Sequence, residues 1–224
     1  MIYIVTGSIS SGTSLVSLFL HRLGIDMGVE VDESIFGIDS YHHNIYEDED
    51  FYNLLIGANK KSFPFKNFIE LVEIKNNKPY WGFKLPKASL LMCQILQLLK
   101  MKNLEVIVIH VFRDLGENYE SWVRKLIWRH RPVNINFSDI MAFNLSSLKA
   151  YSFFCDYVRF IFVNSHDIME FPEEFWNSLN VPMKYTSQEI IMKRHCLRKA
   201  KKTYSYSNEY KKIYEIMENL KWVP

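Results

Sequence analysis

The segment that most constrains the fold is the glycine-rich "TGSISSGTSL" at residues 6–15, which follows the apolar run "IYIV" at 2–5. A short apolar run bounded by glycine is typical of a buried strand, and the apolar residues after Ser11 recur at helical spacing up to Gly24. In such a unit, unpaired backbone N–H groups and the positive end of the helix dipole meet at the loop between strand and helix. The segment therefore predicts an α/β chain whose first loop binds a phosphate group.

Two glycines, Gly7 and Gly12, have the spacing of the nucleotide-binding pattern G-x-x-x-x-G-K-[ST], but Thr13 stands where that pattern has its lysine. Glycine allows a sharp turn and a close approach of the backbone, and the hydroxyl side chains of the loop can add hydrogen bonds. The candidate phosphate-binding residues are Gly7, Ser8, Ser10, Ser11, Gly12, Thr13 and Ser14. The alternative is a Gly/Ser turn between a strand and a helix that binds no ligand.

Further apolar runs alternate with helical patterns along the chain. The strand candidates are 80–85, 106–112 and 159–163, and the helix candidates are 117–130, 138–158 and 165–179. Near-continuous apolar strands that alternate with helices predict a parallel sheet covered on both faces. We therefore expect a single three-layer α/β/α domain over 1–224, with a P-loop NTPase-like parallel sheet of four to five strands. Residues 26–79 are less periodic, and we expect them to form an insertion over the carboxyl edge of the sheet.

Composition and charge narrow the class of function. The net charge of the 224 residues is only +2, so no overall positive field indicates nucleic-acid binding. The cysteines Cys93, Cys155 and Cys196 have neither disulfide-framework nor metal-ligand spacing, which favours a reducing compartment. No uncharged run approaches the roughly 18 residues of a membrane-spanning helix, and a strand that begins at the first residues leaves no room for a signal peptide. We expect a cytoplasmic protein without a membrane segment or a nucleic-acid partner.

Four motifs resemble segments of the sulfotransferase family, in the family's order. The loop at 6–15 resembles the 5′-phosphosulfate loop, roughly G-x-P-[RK]-S-G-T-[ST], in which threonine normally follows the second glycine. "VFRDLGENYESW" resembles the 3′-phosphate motif, an arginine at the end of a strand and a serine eight residues later, here Arg113 and Ser121. "HHNIYEDEDFYNLL" at 42–55 and "WGFKLPKASLLM" at 81–92 resemble two further segments of bacterial-type members.

The resemblance implies a donor and a product. The donor is 3′-phosphoadenosine 5′-phosphosulfate (PAPS) and the product is 3′-phosphoadenosine 5′-phosphate (PAP), with the sulfuryl group moved to a hydroxyl or amine of a small-molecule or glycan acceptor. The segment 26–79 would then lie on the acceptor side. No metal is expected, because the strand candidate 106–112 lacks the closing acidic residue that would hold Mg²⁺ in a nucleoside triphosphatase.

The chain departs from the family pattern in the first loop. Ile9 and Ser10 stand where the family has proline and a basic residue, so Ser10 offers a hydrogen bond at the reacting centre but no positive charge. Two alternatives to an active transferase follow. One is a catalytically impaired protein that binds PAP or PAPS, and the other is a P-loop kinase, which the missing lysine disfavours.

A sulfuryl transfer needs a cation where charge develops on the leaving oxygen. Lys84 is the first candidate because it ends a predicted strand, and strand carboxyl ends face the ligand crevice in parallel sheets. Lys87 is the second candidate. The alternative is that both are surface lysines beside Pro86.

An acceptor hydroxyl also needs a base. Glu47 is the first candidate because it matches the glutamate of the family's E-D segment, and Glu30 is the second. His42 and His43 follow, because histidine titrates in the right range. The alternative for Glu47 is a solvated turn, since 47–50 is a run of four acids.

The basic segment "KRHCLRKAKK" lies within the C-terminal part, 180–224. Sulfotransferases commonly place a basic C-terminal segment over the 3′-phosphate, and the resemblance therefore makes Arg194 and Arg198 candidates for that contact. The alternative is an exposed helix face.

Overall fold

The computed structural model describes residues 1–28, 48–59, 61–170, 172–179 and 207–221. Within these residues, four strands form one parallel sheet in the order β2-β1-β3-β4. The strands are β1 (Ile2–Gly7), β2 (Trp81–Lys84), β3 (Val106–Phe112) and β4 (Arg159–Asn164). The predicted α/β class and the parallel sheet of four to five strands are therefore confirmed.

Helices cover both faces of the sheet. Within the described ranges they are α1 (Thr13–Arg22), α2 (Glu49–Ile56), α3 (Phe65–Lys75), α4 (Ala88–Met101), α5 (Leu115–Trp128), α6 (Phe137–Phe154), α7 (Ser165–Glu170), α8 (Pro172–Ser178) and α9 (Asn208–Leu220). The core on one face is built with α1, α7 and α8, and the core on the other face with α2, α3, α4 and α6. Because each strand is buried from both sides, the strands have near-continuous apolar sequences and not alternating ones.

The two faces follow from the alternation of side chains along β1. Tyr3 and Val5 belong to the α1 side of the core, whereas Ile2 and Ile4 belong to the α4 side. β3 continues the same division, because Val5 is in register with Ile109. The two central strands therefore run between two cores, and their carboxyl ends emerge together at one edge of the sheet.

The helix boundaries differ from the sequence prediction at several places, including α6, which ends at Phe154 and not at residue 158. α5 begins at Leu115, two residues before the predicted start, because the Asp114 side chain accepts a hydrogen bond from the Glu117 backbone N–H and caps the helix. The single helix predicted over 165–179 is instead two helices, α7 and α8. Pro172 is the first residue of α8, the helix position at which proline is favoured.

The acidic run that begins at Glu47 has a structural role in its described part. Asp48 is buried and caps α2 by accepting the backbone N–H groups of Asp50 and Phe51. Its other oxygen lies 2.8 Å from the Lys75 ammonium at the end of α3. Phe51 then stacks on Phe83 of β2 with 4.1 Å between ring centroids, so this ion pair fixes two helices against the sheet. Within the described part of the chain, no helix is both long and apolar enough to cross a membrane.

Candidate functional site

The carboxyl edge of the sheet brings three of the sequence-predicted site elements, Lys84, the first loop and Arg113, into one row. Along the strand order, the row runs from Lys84 at the end of β2 through Gly7 at the end of β1 and Arg113 just after β3 to Ser165 just after β4. In an open parallel sheet this edge is where ligands bind. The loop after β1 lies in the middle of the row.

The two glycines of the loop are required by close contacts with neighbouring strands. Gly7 has a φ of +150°, and a Cβ atom there would lie 2.2 Å from the carbonyl oxygen of Val111 in β3. Gly12 has a φ of +109°, and a Cβ atom there would lie 2.9 Å from Cβ of Ser165. Any side chain would therefore displace the loop from β3 and β4, and the predicted need for glycine at both positions has a physical cause.

The loop turns into α1 with its polar groups gathered. Gly12 is the N-cap of α1 and contributes no side-chain cap, so the first N–H groups of the helix are left for another acceptor. Ser8, Ser11 and Thr13 are buried, whereas Ser10 and Ser14 are half-buried. This is the arrangement of donors that an anion requires at a helix N-terminus.

One hydroxyl of the loop is buried without a partner. Among the described residues, Ser11 Oγ has no hydrogen-bond partner, and neither has Ser165 Oγ beside Gly12. A buried hydroxyl that makes no hydrogen bond is destabilising, which favours a bound group that would satisfy it. The donor set of the loop therefore fits a phosphate or sulfate oxygen.

Asn118 of α5 holds the loop from the side and was not identified from the sequence. It is fully buried, and in the amide orientation that satisfies its neighbours its Nδ2 donates to the Ile9 carbonyl at 3.2 Å. Its Oδ1 accepts the Ser11 backbone N–H at 3.1 Å. The loop is thus attached to the same helix that carries Ser121.

Ser89 of α4 fixes the residues at the start of the loop. Thr6 Oγ1 and Ser89 Oγ are 2.5 Å apart, and the Ser89 hydroxyl donates to the Gly7 carbonyl at 3.4 Å. All three residues are buried. Since the last residue of β1 is held in this way, the position of the turn is determined before any ligand arrives.

Arg113 is buried and already has an acidic partner. Its Nη2 and Nε donate to Glu117 Oε2 at 3.0 and 3.3 Å, one turn into α5. His166 Nε2 lies 2.6 Å from the same oxygen. Burial acts to raise the pKa of Glu117, but the hydrogen bonds from His166 and Arg113 outweigh it and hold that pKa below its ordinary value. The Glu117 carboxyl is therefore ionised at neutral pH.

Ser121 and Lys84 flank this centre. Ser121 is half-buried and lies one turn beyond Asn118 on α5. Lys84 is only 3% exposed and is in register with Val5, so it lies on the face of the sheet that α1 covers. The Lys87 ammonium instead donates a hydrogen bond to the Ile56 carbonyl at the end of α2. Of the two lysine candidates, Lys84 is the one at the strand end beside the loop.

Several predicted residues lie outside the described residues. These are Glu47, Glu30, His42, His43, Arg194 and Arg198. Their assignments as base or as 3′-phosphate contacts remain predictions. Within the described ranges, no group of three or more His, Cys, Asp or Glu side chains is arranged to hold a metal ion.

Sequence reasoning missed Glu117, Asn118 and His166. Two signals could have indicated the first two, because a glutamate four residues after a strand-end arginine is at ion-pairing distance on a helix, and Asn118 shares a helical face with Ser121. No local sequence pattern indicated a role for His166. It is brought to Glu117 only by the pairing of β3 with β4.

Comparison with known proteins identifies structures with a similar fold. No protein-family model and no curated protein matches the sequence. The structure is similar to a sulfotransferase domain from the curacin biosynthetic pathway, with 14% identity and a TM-score of 0.54 over 100% of this chain and 98% of that one. It is also similar to the sulfotransferase domain of the Synechococcus PCC 7002 olefin synthase, with 13% identity and a TM-score of 0.56 over 98% and 93% of the two chains.

A third similar structure is a deoxyadenosine kinase from M. mycoides with bound dATP, at 14% identity. Its TM-score is 0.45, over 80% of this chain and 100% of that chain, and that likeness is too weak to bear on function. The first two similarities cover nearly the whole of each chain. The protein therefore has a sulfotransferase-like fold.

Proposed function

We propose that the protein is a sulfotransferase that moves a sulfuryl group from PAPS to a hydroxyl or amine acceptor, a small molecule or a glycan. The observation that carries the proposal is the loop at 7–13, an anion cradle at a helix N-terminus in which Thr13 replaces the lysine of nucleoside triphosphatases. The sulfotransferase-like fold supports the same conclusion. A cytoplasmic location and the bacterial-type grouping belong to this proposal.

The residues divide into two phosphate-binding groups. The backbone N–H groups and hydroxyls of Gly7, Ser8, Ser10, Ser11, Gly12, Thr13 and Ser14 would hold the 5′-phosphosulfate. Arg113 and Ser121 would hold the 3′-phosphate, with Arg194 and Arg198 as further candidates. Asn118 joins the two groups, because it contacts the loop from the helix that carries Ser121. This connection supports one ligand that spans both.

Sulfuryl transfer resembles phosphoryl transfer, and the protein's part is to position the reactants and to stabilise charge on the leaving oxygen. Lys84 is the proposed source of that charge. It is buried at the strand end next to the loop, where a cation is only weakly screened by water. Ser10 would add a hydrogen bond. Glu47 is the proposed base for the acceptor, ahead of Glu30 and the two histidines.

A second candidate function is a protein that binds PAP or PAPS without turnover. Ser10 favours it, because the family pattern has a lysine or arginine at this position. Loss of one well-placed donor to a developing charge lowers a rate on the order of 10²–10³-fold. The binding loop of such a protein would be the same, so only a rate measurement separates the two functions.

The donor site is tested by calorimetric binding of PAP, with 5′-AMP and with ATP plus Mg²⁺ as competitors. We expect PAP to bind in preference to both, and Arg113→Ala and Ser121→Ala each to weaken it roughly 10- to 100-fold, because each removes a hydrogen bond to a charged group. Ser152→Ala is the matched control, since its hydroxyl lies on α6 and donates within its own helix. Preference for ATP with Mg²⁺, or equal affinity for 5′-AMP, contradicts the proposal.

Catalysis is tested by release of PAP from PAPS in the presence and absence of a panel of hydroxyl and amine acceptors. Lys84→Ala should abolish turnover and retain PAP binding, whereas Lys87→Ala, which loses only a contact to the Ile56 carbonyl, should retain both. If no acceptor gives turnover while PAP still binds tightly, the non-catalytic binding protein is the correct function.

A further inference from the structure

The Glu117 carboxylate, which pairs with Arg113, would repel any anion that binds to Arg113. The carboxylate accepts both Nη2 and Nε of the guanidinium, at 3.0 and 3.3 Å, and the Arg113 side chain is only 2% exposed. A phosphate that binds the same guanidinium comes close to a negative charge in a site that is largely shielded from water. Like charges in such a site repel one another strongly.

His166 is positioned to reduce this repulsion. Its Nε2 lies 2.6 Å from the same carboxylate oxygen, and since that oxygen can only accept while Glu117 is ionised, Nε2 carries a hydrogen. The side chain of His166 is 34% exposed, so the ring exchanges protons with water. With a neutral imidazole, the three groups Arg113, Glu117 and His166 sum to zero charge. With an imidazolium, they sum to +1, and the carboxylate has a second cation.

The other charged groups near His166 either have partners of their own or are exposed. Asp167, the next residue, lies 3.1 Å from the Lys221 ammonium, which is also 2.9 Å from Glu218 at the end of α9. Asp114 accepts the backbone N–H of Glu117 at the start of α5, and Glu170 at the end of α7 is exposed. Histidine is the side chain whose charge ordinarily changes near neutral pH, and within the described part of the chain His166 is the histidine that contacts Glu117.

We propose that Glu117 and His166 are positioning residues that couple anion binding at Arg113 to protonation of His166. The imidazolium binds the Glu117 carboxylate and leaves the Arg113 guanidinium to the anion, whereas the neutral imidazole leaves the carboxylate to compete with it. The proton comes from solvent and binds Nδ1 of His166, since Nε2 already carries a hydrogen, and no other covalent bond changes. The inference rests on the proposed function in one respect, namely that the anion is the 3′-phosphate of PAP.

The test is calorimetric binding of PAP at pH 6.5 and 8.5, each in two buffers of different ionisation enthalpy, which gives the number of protons taken up. The wild type should take up protons on binding at pH 8.5, where the phosphates of PAP are themselves fully ionised. Its affinity should fall roughly three- to tenfold from pH 6.5 to 8.5. His130→Asn, which removes an exposed histidine with a φ of +51° at the end of α5, is the control and should behave as the wild type.

Two variants separate the contributions of His166 and Glu117 to PAP binding. His166→Gln keeps a neutral donor to Glu117, so it should bind PAP at both pH values as weakly as the wild type does at pH 8.5, without proton uptake. Glu117→Gln removes the competing carboxylate, so it should bind tightly at both pH values, also without proton uptake. The wild-type measurement alone keeps the inference testable if either variant fails to fold.

The outcomes distinguish the inference from the proposed function. If the wild type binds PAP without proton uptake, or if His166→Gln takes up as many protons as the wild type, the coupling is refuted and the PAP site stands. If the wild type does not bind PAP at either pH, the proposed function is refuted and the inference falls with it.

Discussion

His110 predicts a specific loss of stability on mild acidification. It lies in β3 with no exposed surface, its Nε2 is 3.0 Å from Asn144 Oδ1 of α6, and its ring packs against Phe162 at 5.6 Å between centroids. Burial lowers the pKa of His110 from 6.5 to about 4, although the hydrogen bond to Asn144 acts in the opposite direction. The folded state therefore keeps the ring neutral at a pH where the unfolded chain binds a proton.

The sign and size of the effect follow from this difference. Stability from His110 is fully present above about pH 7 and is lost as the pH falls from 6.5 towards 4, because only the unfolded state binds the proton in that window. Between pH 7.5 and 5.0 the loss amounts to about 2 kcal/mol in the free energy of unfolding, at 1.36 kcal/mol per pKa unit. Asp26, Glu117 and Glu218 have lowered pKa values, so the stability that they contribute is lost at lower pH than this window.

The assay is urea unfolding at pH 7.5 and 5.0 for the wild type, His110→Phe and His130→Asn. Phenylalanine keeps the ring packing and cannot be protonated, so the His110→Phe protein should lose about 2 kcal/mol less than the wild type between the two pH values, whatever its absolute stability. His130→Asn should follow the wild type, because that histidine is exposed. Equal pH dependence in the wild type and His110→Phe would refute the reasoning.

Three further predictions concern the loop. Gly7→Ala should destabilise the fold by more than about 1 kcal/mol in thermal unfolding and abolish PAP binding, because the new Cβ would meet the Val111 carbonyl at 2.2 Å in a left-handed backbone. Unchanged stability would contradict this contact. Asn118→Asp should weaken PAP binding at least about tenfold in calorimetry, because it places a buried negative charge against the anion loop; undiminished affinity would mean that the anion binds elsewhere. Ser10→Lys should raise PAPS turnover by on the order of 10² if the missing cation limits the rate, whereas an unchanged rate would mean that Lys84 already supplies it.

The parts of the site that could be predicted from sequence are those that local chemistry determines. A strand that runs into a glycine-rich turn and a helix is specified within about twenty residues, so this strand-loop-helix unit and its two glycines could be predicted directly. The reason for each glycine lies elsewhere. Gly7 is required by the Val111 carbonyl of β3 and Gly12 by Ser165 after β4, more than a hundred residues away in sequence.

The parts that could not be predicted depend on tertiary pairing. Glu117 and His166 are 49 residues apart and meet only because β3 pairs with β4. The helices within 26–79 could not be predicted from the sequence for a related reason. Asp48 and Lys75 are 27 residues apart, and their ion pair, together with the stacking of Phe51 on the sheet, orders α2 and α3 although neither has a strong local pattern.

The distribution of charge at the sheet edge connects these findings. The family pattern places a cation within the loop, and here that position is Ser10. The next cation along the edge is Arg113, whose charge is balanced by Glu117. Among the described residues of the row, Lys84 is therefore the cation that we propose to stabilise a leaving group, and the charge around Arg113 is the one that we propose to depend on His166. If both proposals hold, donor binding and turnover should depend on pH separately, because binding would be controlled at the β3–β4 end of the edge and the reaction at the β2 end. An enzyme in which Lys84→Ala removes turnover without altering the pH dependence of PAP binding would have this division of roles.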